Sequence, residues 1–364
     1  MSKKDKINIV VVLPFLSGEG GTETVVSEWI SHFNRSSAFN MTFLLPQGSM
    51  KPNWYPSFKS VRVFRFAQLF KNVRSVRNIF GALWLAIKVL TTSADEVVCL
   101  STKLIFEVSF LKKMFRKKFK IISWIHFSLQ HGQDINLSDL KKADFHLAIS
   151  SGIQQQMRDI DISESRISII GNPIPKGDHI IPNFSTKKTR FIYSGRIFVD
   201  GQKNLRELVS GLSELNAYTQ EWKLDVFGDG PDMETFQKLL IHKGIFDQVV
   251  LHGWVKQPFN QLSSADCLVL TSKYEGFGMV LGEAIARGIP VISSDCPTGP
   301  ADIVSDENGY LYPPGDVYLL RKRLIAMVNK EKDFDHKRLP ETVSKFYPNS
   351  YFKRLEQSLF DFSQ

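Results

Sequence analysis

A chain of 364 residues has room for two domains of ordinary size, and its 43% hydrophobic and 23% charged residues exclude a disordered or collagen-like polymer. Three scattered cysteines, Cys99, Cys267 and Cys296, exclude a disulfide framework or a zinc cluster and suit a reducing, cytoplasmic setting. The net charge of +9 is lopsided: residues 1–180 carry 24 Lys/Arg against 14 Asp/Glu, a net of +10, and residues 181–364 carry 22 against 23, a net of −1. A basic half suits an anionic partner such as phospholipid headgroups, a phosphorylated lipid or nucleic acid, and it is also a plain property of many basic chains.

MSKKDK leads straight into INIVVVLPF (7–15), an apolar run of strand length with no cleavage-site pattern, so no signal peptide is expected. TETVVSEWISHF (22–33) sets Val25, Val26, Trp29, Ile30 and Phe33 at helical spacing. IFGALWLAIKVL (79–90) is apolar for 12 residues with Lys88 inside it, too short to cross a bilayer. EVVCLS (96–101), KIISWIHF (120–127) and DFHLAIS (144–150) are strand-like.

The stretch 171–189, GNPIPKGDHIIPNFSTKKT, has three prolines, two glycines and no periodicity, and reads as a connection between domains. Alternation then restarts with RFIYSGRI (190–197), NLRELVSGLSEL (204–215), KLDVFGDG (223–230), a helix from Met233, VVLHGWV (249–255) and DCLVLTS (266–272). MVLGEAIARG reads as a helix stopped by Gly288 and Pro290, followed by PVISSD (290–295) and a helix near the C-terminus. This rhythm predicts an α/β fold of two doubly wound, Rossmann-like domains facing each other across a cleft, with the ligand between sheet edges.

Three places carry residues suited to chemistry. LSGEGGTET puts Gly18, Gly20 and Gly21 before a helix N-terminus, which favours anions, although the spacing is not the dinucleotide fingerprint and an empty tight turn reads equally well. SGRIFVDGQKNL places Arg196 at a strand's C-terminal end and Lys203 at a helix start, where both could neutralise a diphosphate or stand as solvated cations. SKYEGFGMVLGEA places Glu275 on the loop after a strand, Gly278 and Met279 at a helix's first turn, and Glu283 about one turn later, positioned to accept from a ribose diol. A solvated glutamate and a capping glutamate are the bland alternative. The acids of DID (159–161) and DFD (333–335) read as solvated, so no metal site is expected.

In register with these run GNPI (171–174), VFGDGP (226–231), LHGW (251–254), the spacing E-x7-E of Glu275 and Glu283, and ENGYLYPPGD (307–316). Over nearly its whole length the chain resembles the family-4 glycosyltransferases of the GT-B fold, retaining enzymes that use nucleotide sugars. The resemblance implies that Gly20 and Gly21 lie against the donor's diphosphate and sugar and that Arg196 and Lys203 hold the diphosphate. It further implies that Glu275 contacts the sugar hydroxyls, that the backbone of Phe277, Gly278 and Met279 binds sugar or phosphate, and that Glu283 binds ribose. His126 in SWIHFS, rather than His131, matches a histidine near the anomeric centre. ENGYLYPPGD matches a hairpin of that family. The resemblance also implies front-face attack of the acceptor, rather than a covalent sugar–enzyme intermediate, with no cofactor and no metal.

The expected division is an acceptor-binding N-terminal domain over 1–175, a nucleotide-sugar-binding domain over 176–345, and a C-terminal helix, 346–364, packing back on the first domain. SSDCPTGPADIV (293–304) resembles a subgroup that builds surface polysaccharides and lipopolysaccharide cores, which points to a UDP-hexose donor, galactose or glucose, with a GDP-sugar still open. The expected acceptor is a lipid-linked glycan or a polysaccharide. Arg65, Lys71, Arg74 and Arg77 among Phe66, Leu69, Phe70, Ile79, Phe80 and Trp84, together with LKKMFRKKFK (111–120), suit either a basic domain resting on the anionic inner face of the cell membrane or solvated helix faces packed on a sheet. A UDP-sugar epimerase of the same fold is the enzymatic rival. A nucleic-acid-binding protein would explain the basic half but would not call for the glutamate pair, so no nucleic-acid partner is expected.

Overall fold

The computed structural model describes residues 6–18, 20–51, 54, 55, 58–65, 73–132, 134–183 and 188–364. The chain divides into two units, Met1–Pro173 with Tyr351–Gln364, and Ile174–Ser350.

The first unit runs β1 (Ile7–Val12), α1 (Gly21–Phe33), β2 (Phe39–Leu45), β3 (Val61–Val63), α2 (Arg74–Thr91), β4 (Glu96–Cys99), α3 (Thr102–Met114), β5 (Lys120–Trp124), β6 (Phe145–Ala148), α4 (Ser151–Arg158) and β7 (Ile167–Ile169). Its strands form a parallel sheet in the order β3-β2-β1-β4-β5-β6-β7. All four residues of β4 are buried, as expected for a central strand covered by helices on both faces.

The second unit runs β8 (Thr189–Ser194), α5 (Leu205–Tyr218), β9 (Trp222–Phe227), α6 (Met233–His242), β10 (Val249–Gly253), β11 (Cys267–Leu270), α7 (Met279–Ile285), β12 (Val291–Ser294), β13 (Gly309–Tyr312) and α8 (Val317–Val328). Its sheet is also parallel, in the order β10-β9-β8-β11-β12-β13. Phe191, Tyr193, Leu208, Leu212, Trp222 and Val226 lie in its core.

α9 (Pro348–Ser363) crosses the division between the units at Tyr351. It buries Tyr351, Phe352, Leu355, Leu359 and Phe362, one face at helical spacing. Against the first unit, Trp29 Nε1 donates to the Tyr351 hydroxyl at 2.8 Å, and the rings of His32 and Phe352 stack at 3.8 Å. Trp29 in turn stacks on Trp124 at 3.7 Å, so the helix is tied to the middle of that core.

Two sequence expectations change here. ENGYLYPPGD is not a hairpin: β13 is a single edge strand parallel to β12, and Asp316 caps α8 by accepting from the Leu319 N–H. Arg77, expected among surface cations, is 7% exposed and lies over the Phe15 ring at 3.8 Å. Phe66, Leu69, Phe70 and Lys71 lie outside the described residues.

Candidate active site

Each sheet reverses its strand order once, between β1 and β4 and between β8 and β11. Loops leaving the carboxyl ends of such strands diverge and open a crevice for ligand. In the second unit, β8 leads through Gly195 to Arg196, and β11 leads to Glu275.

Close backbone approach packs the loop after β9 onto the loop after β8. Gly228, at φ +153°, could not carry a Cβ, which would lie 1.8 Å from the Gly195 carbonyl oxygen. VFGDGP therefore packs main chain to main chain on SGRI, with the Gly195 N–H donating to Phe227 O at 2.9 Å and the Ile197 N–H to Asp229 O at 3.0 Å.

Lys203 and Glu275 meet at the switch point. Lys203 Nζ donates to Glu275 Oε1 at 2.6 Å, with side chains only 14% and 9% exposed. Ser272 Oγ donates to the same oxygen at 2.6 Å, and Thr298 Oγ1 donates to the Glu275 carbonyl. Thr271 Oγ1 bonds the carbonyls of Lys203 and Asn204 at 3.1 and 3.2 Å, which joins the β11 loop to the start of α5. Arg196 is exposed, and its carbonyl accepts from the Tyr193 hydroxyl at 2.7 Å. Burial pushes the Tyr193 phenol up; the Glu275 carboxylate adds to this and the Arg196 guanidinium opposes it, so both charges act on that hydroxyl.

The segment between the two glutamates contributes backbone. Gly278 takes the left-handed conformation, φ +88°, and no side chain caps α7. In its first turn the Leu281 N–H is taken by the Gly278 carbonyl at 2.9 Å, which leaves the N–H groups of Met279 and Val280 for an acceptor. Phe277 is 2% exposed and meets Phe346 edge-on at 5.1 Å, so its side chain belongs to the core. Glu283 lies one turn into α7, where desolvation holds its carboxyl above the ordinary range against the opposing charge of Arg287.

Sequence reading missed two supports. The first is the wall behind the Glu275 loop: Gly299, at φ +97°, packs so closely that a Cβ would lie 2.3 Å from the Phe277 carbonyl oxygen. DCPTGP thus holds the glutamate loop by direct packing. The second is Glu207, 5% exposed, which accepts from Asn204 Nδ2 at 2.5 Å, the Tyr312 hydroxyl at 2.8 Å and the Gly315 N–H at 3.1 Å. It joins the left-handed Asn204, φ 49°, directly after Lys203, to the end of β13. The spacing N-x-x-E at the start of a helix was the available signal.

In the first unit, Gly20 is the N-cap of α1, which no side chain caps, and Gly21 is its first residue. Glu23 fills the loop from inside, accepting from Ser17 Oγ and the Gly18 N–H, both at 2.8 Å. A Cβ at Gly20 would lie 2.6 Å from Glu23 Oε2. His126 stands two residues past β5, 8% exposed and edge-on to Trp124 at 4.4 Å. Burial lowers it to about 3, so the ring is neutral near pH 7, and its Nε2 is buried with no hydrogen-bond partner among the described residues. Such an orphaned nitrogen suits a ligand oxygen. His131 is exposed, beside Ser128 at 3.3 Å.

The DID and DFD acids serve locally: Asp161 pairs with Lys141 at 3.7 Å, and Asp335 accepts from the Lys337 N–H. Among the described residues no group of three His, Cys, Asp or Glu is arranged to hold a metal ion.

Two parallel-sheet Rossmann-like units are the architecture of the GT-B fold. Residues 178–342 match the model of the family described as glycosyl transferases group 1, and the chain belongs to that family. It is 34% identical to the lipopolysaccharide 1,6-galactosyltransferase of Escherichia coli strain K12, over 94% of this chain and 95% of that one. To the lipopolysaccharide 1,6-galactosyltransferase of Salmonella typhimurium strain LT2 it is 35% identical, over 95% and 96%. The solved apo structure of the lipopolysaccharide outer core galactosyltransferase WaaB superposes with a TM-score of 0.84 at 32% identity, covering 98% of this chain and 99% of that one. Among the described residues no helix is long and apolar enough to cross a membrane.

Proposed function

We propose that this glycosyltransferase moves a hexose, galactose or glucose, from a UDP-sugar to a lipid-linked or polysaccharide acceptor in the assembly of a cell-surface glycan. The reaction runs with retention and without a metal, as in family 4. One observation carries the sugar and the setting: the full-length likeness to lipopolysaccharide 1,6-galactosyltransferases.

The chemistry rests on charge. Breaking the anomeric C–O bond leaves positive charge on the sugar and adds negative charge to the departing diphosphate. Lys203, Arg196 and the uncapped N–H groups of α7 stabilise that leaving group. Glu275 holds the sugar hydroxyls and Glu283 the ribose. Glu275 Oε1 already accepts from Lys203 and Ser272, which makes that oxygen a poor nucleophile and favours front-face attack over a covalent intermediate. The departing phosphate oxygen then takes the acceptor's proton. Gly20, Gly21 and the neutral His126 are assigned to the donor's sugar and diphosphate.

A donor screen tests this reading. UDP-galactose, UDP-glucose, UDP-N-acetylglucosamine and GDP-mannose are each incubated with and without a lipopolysaccharide-core acceptor, and nucleotide release is followed. UDP release from a hexose donor, accelerated by acceptor, is expected. Conversion of UDP-N-acetylglucosamine into an epimeric UDP-sugar, without acceptor and without net UDP release, would identify an epimerase instead.

A further inference from the structure

The first unit carries two apolar faces that its own core leaves outside. Along α2, Ile79, Leu83 and Ile87 recur every fourth residue and are 62%, 58% and 58% exposed. Along α3, Phe106, Phe110 and Met114 repeat that spacing at 47%, 56% and 51%. Residues four apart share a helix face, and α2 and α3 touch, so the stripes lie on neighbouring helices. The inward faces are already filled, by Leu85 and Val89 on α2 and by Leu104, Ile105, Val108 and Leu111 on α3. A surface helix needs one apolar stripe for its own core; each of these has two.

Charge says what covers the second stripe. α2 contains no Asp or Glu, and residues 102–120 hold seven Lys/Arg and one acid, Glu107, which pairs with Lys103 at 3.7 Å. Lys113, Arg116 and Lys118 are exposed beside Met114 and Phe115. An apolar stripe with a cationic rim matches an anionic bilayer, where apolar side chains enter the headgroup–acyl boundary and cations meet phosphates. A second copy of this face would bring like charges together.

We propose that α2 and α3 dock the protein on an anionic phospholipid surface, with Ile79, Leu83, Ile87, Phe106, Phe110 and Met114 inserted. Docking deepens the proposed function by placing the enzyme where a lipid-linked acceptor is presented, and its test does not depend on transfer. The full chain is sedimented with vesicles of phosphatidylglycerol and phosphatidylethanolamine, and with vesicles of phosphatidylcholine. Binding to the anionic vesicles alone, weakened by salt, is expected. The double variants Leu83→Asp/Phe110→Asp and Lys113→Glu/Arg116→Glu should each bind them at least about tenfold more weakly, with donor hydrolysis in solution unchanged. If the first variant folds poorly, the second, altered only at exposed side chains, decides.

No binding to anionic vesicles, or equal binding by wild type and the charge-reversed variant, overturns the proposal. So does a solution dimer that Leu83→Asp/Phe110→Asp dissolves. Failure of transfer with vesicle binding intact counts against the reaction, and a wild-type protein that turns over donor but does not bind anionic vesicles counts against the docking face.

Discussion

Lys203→Ala removes the cation that meets Glu275 at 2.6 Å and leaves a carboxylate whose side chain is 9% exposed, with Ser272 still bonded to it. Breaking a buried pair from one side costs about 3–5 kcal/mol when the stranded charge stays dry. Lys203 is itself 14% exposed, so water entering its place relieves part of that cost. On the proposed mechanism the loss in the transition state is of a different kind: one charge-assisted donor to the departing diphosphate is gone, worth roughly 100- to 1,000-fold in rate. Transfer by Lys203→Ala and by Glu275→Ala should therefore each fall at least roughly 100-fold. Because the two groups act as a unit, the double variant should lose far less than the product of the single losses. The assay is UDP release with acceptor, with Tm measured beside it to confirm folding. Two folded variants with kcat/KM within about threefold of wild type would refute the site assignment.

Three further outcomes follow from the same geometry. Glu207→Gln replaces an acceptor of three hydrogen bonds by an amide that turns a donor toward them; it should cost about 2–3 kcal/mol in denaturant unfolding and lower kcat with the loosened Lys203 loop. Gly299→Ala forces a Cβ against the Phe277 carbonyl at positive φ, and should destabilise by more than about 2 kcal/mol, read as a fall in Tm. Burial raises the Glu96 carboxyl from 4.5 to about 7, against the Ser363 hydrogen bond and the charge of Lys120. A group with a raised folded pKa stabilises the fold only while protonated, so its contribution is complete below 4.5 and lost as pH rises through about 7. Glu96→Gln should therefore stabilise by up to about 3 kcal/mol above pH 7, with the gain gone in acid, as seen in urea titrations across pH.

The strand ends at the candidate site were legible because the central strands are short, mostly apolar runs followed by glycine or a polar loop. That pattern set Arg196 and Glu275 on loops past strand ends and Lys203 just before a helix, where the fold has them. β2 was harder, since its polar Asn40 and Thr42 interrupt the run, and β7 has three residues. The hairpin expected for ENGYLYPPGD came with the family resemblance, whereas parallel pairing of β13 to β12 decides the outcome. The role of DCPTGP as a wall behind Phe277 rests on a contact more than twenty residues away, which no local pattern records. Periodicity shows that α2 and α3 are apolar, but only packing shows which stripe is covered. Arg77 reads as a surface cation until the Phe15 ring is placed beneath it.

The most direct measurement is NMR of the product formed from UDP-galactose and a lipopolysaccharide-core acceptor. The account predicts a new galactosyl residue bearing the same α configuration as in the donor, formed by wild type and absent with Glu275→Ala. A β-linked product, or galactose transfer undiminished in Glu275→Ala, would contradict it.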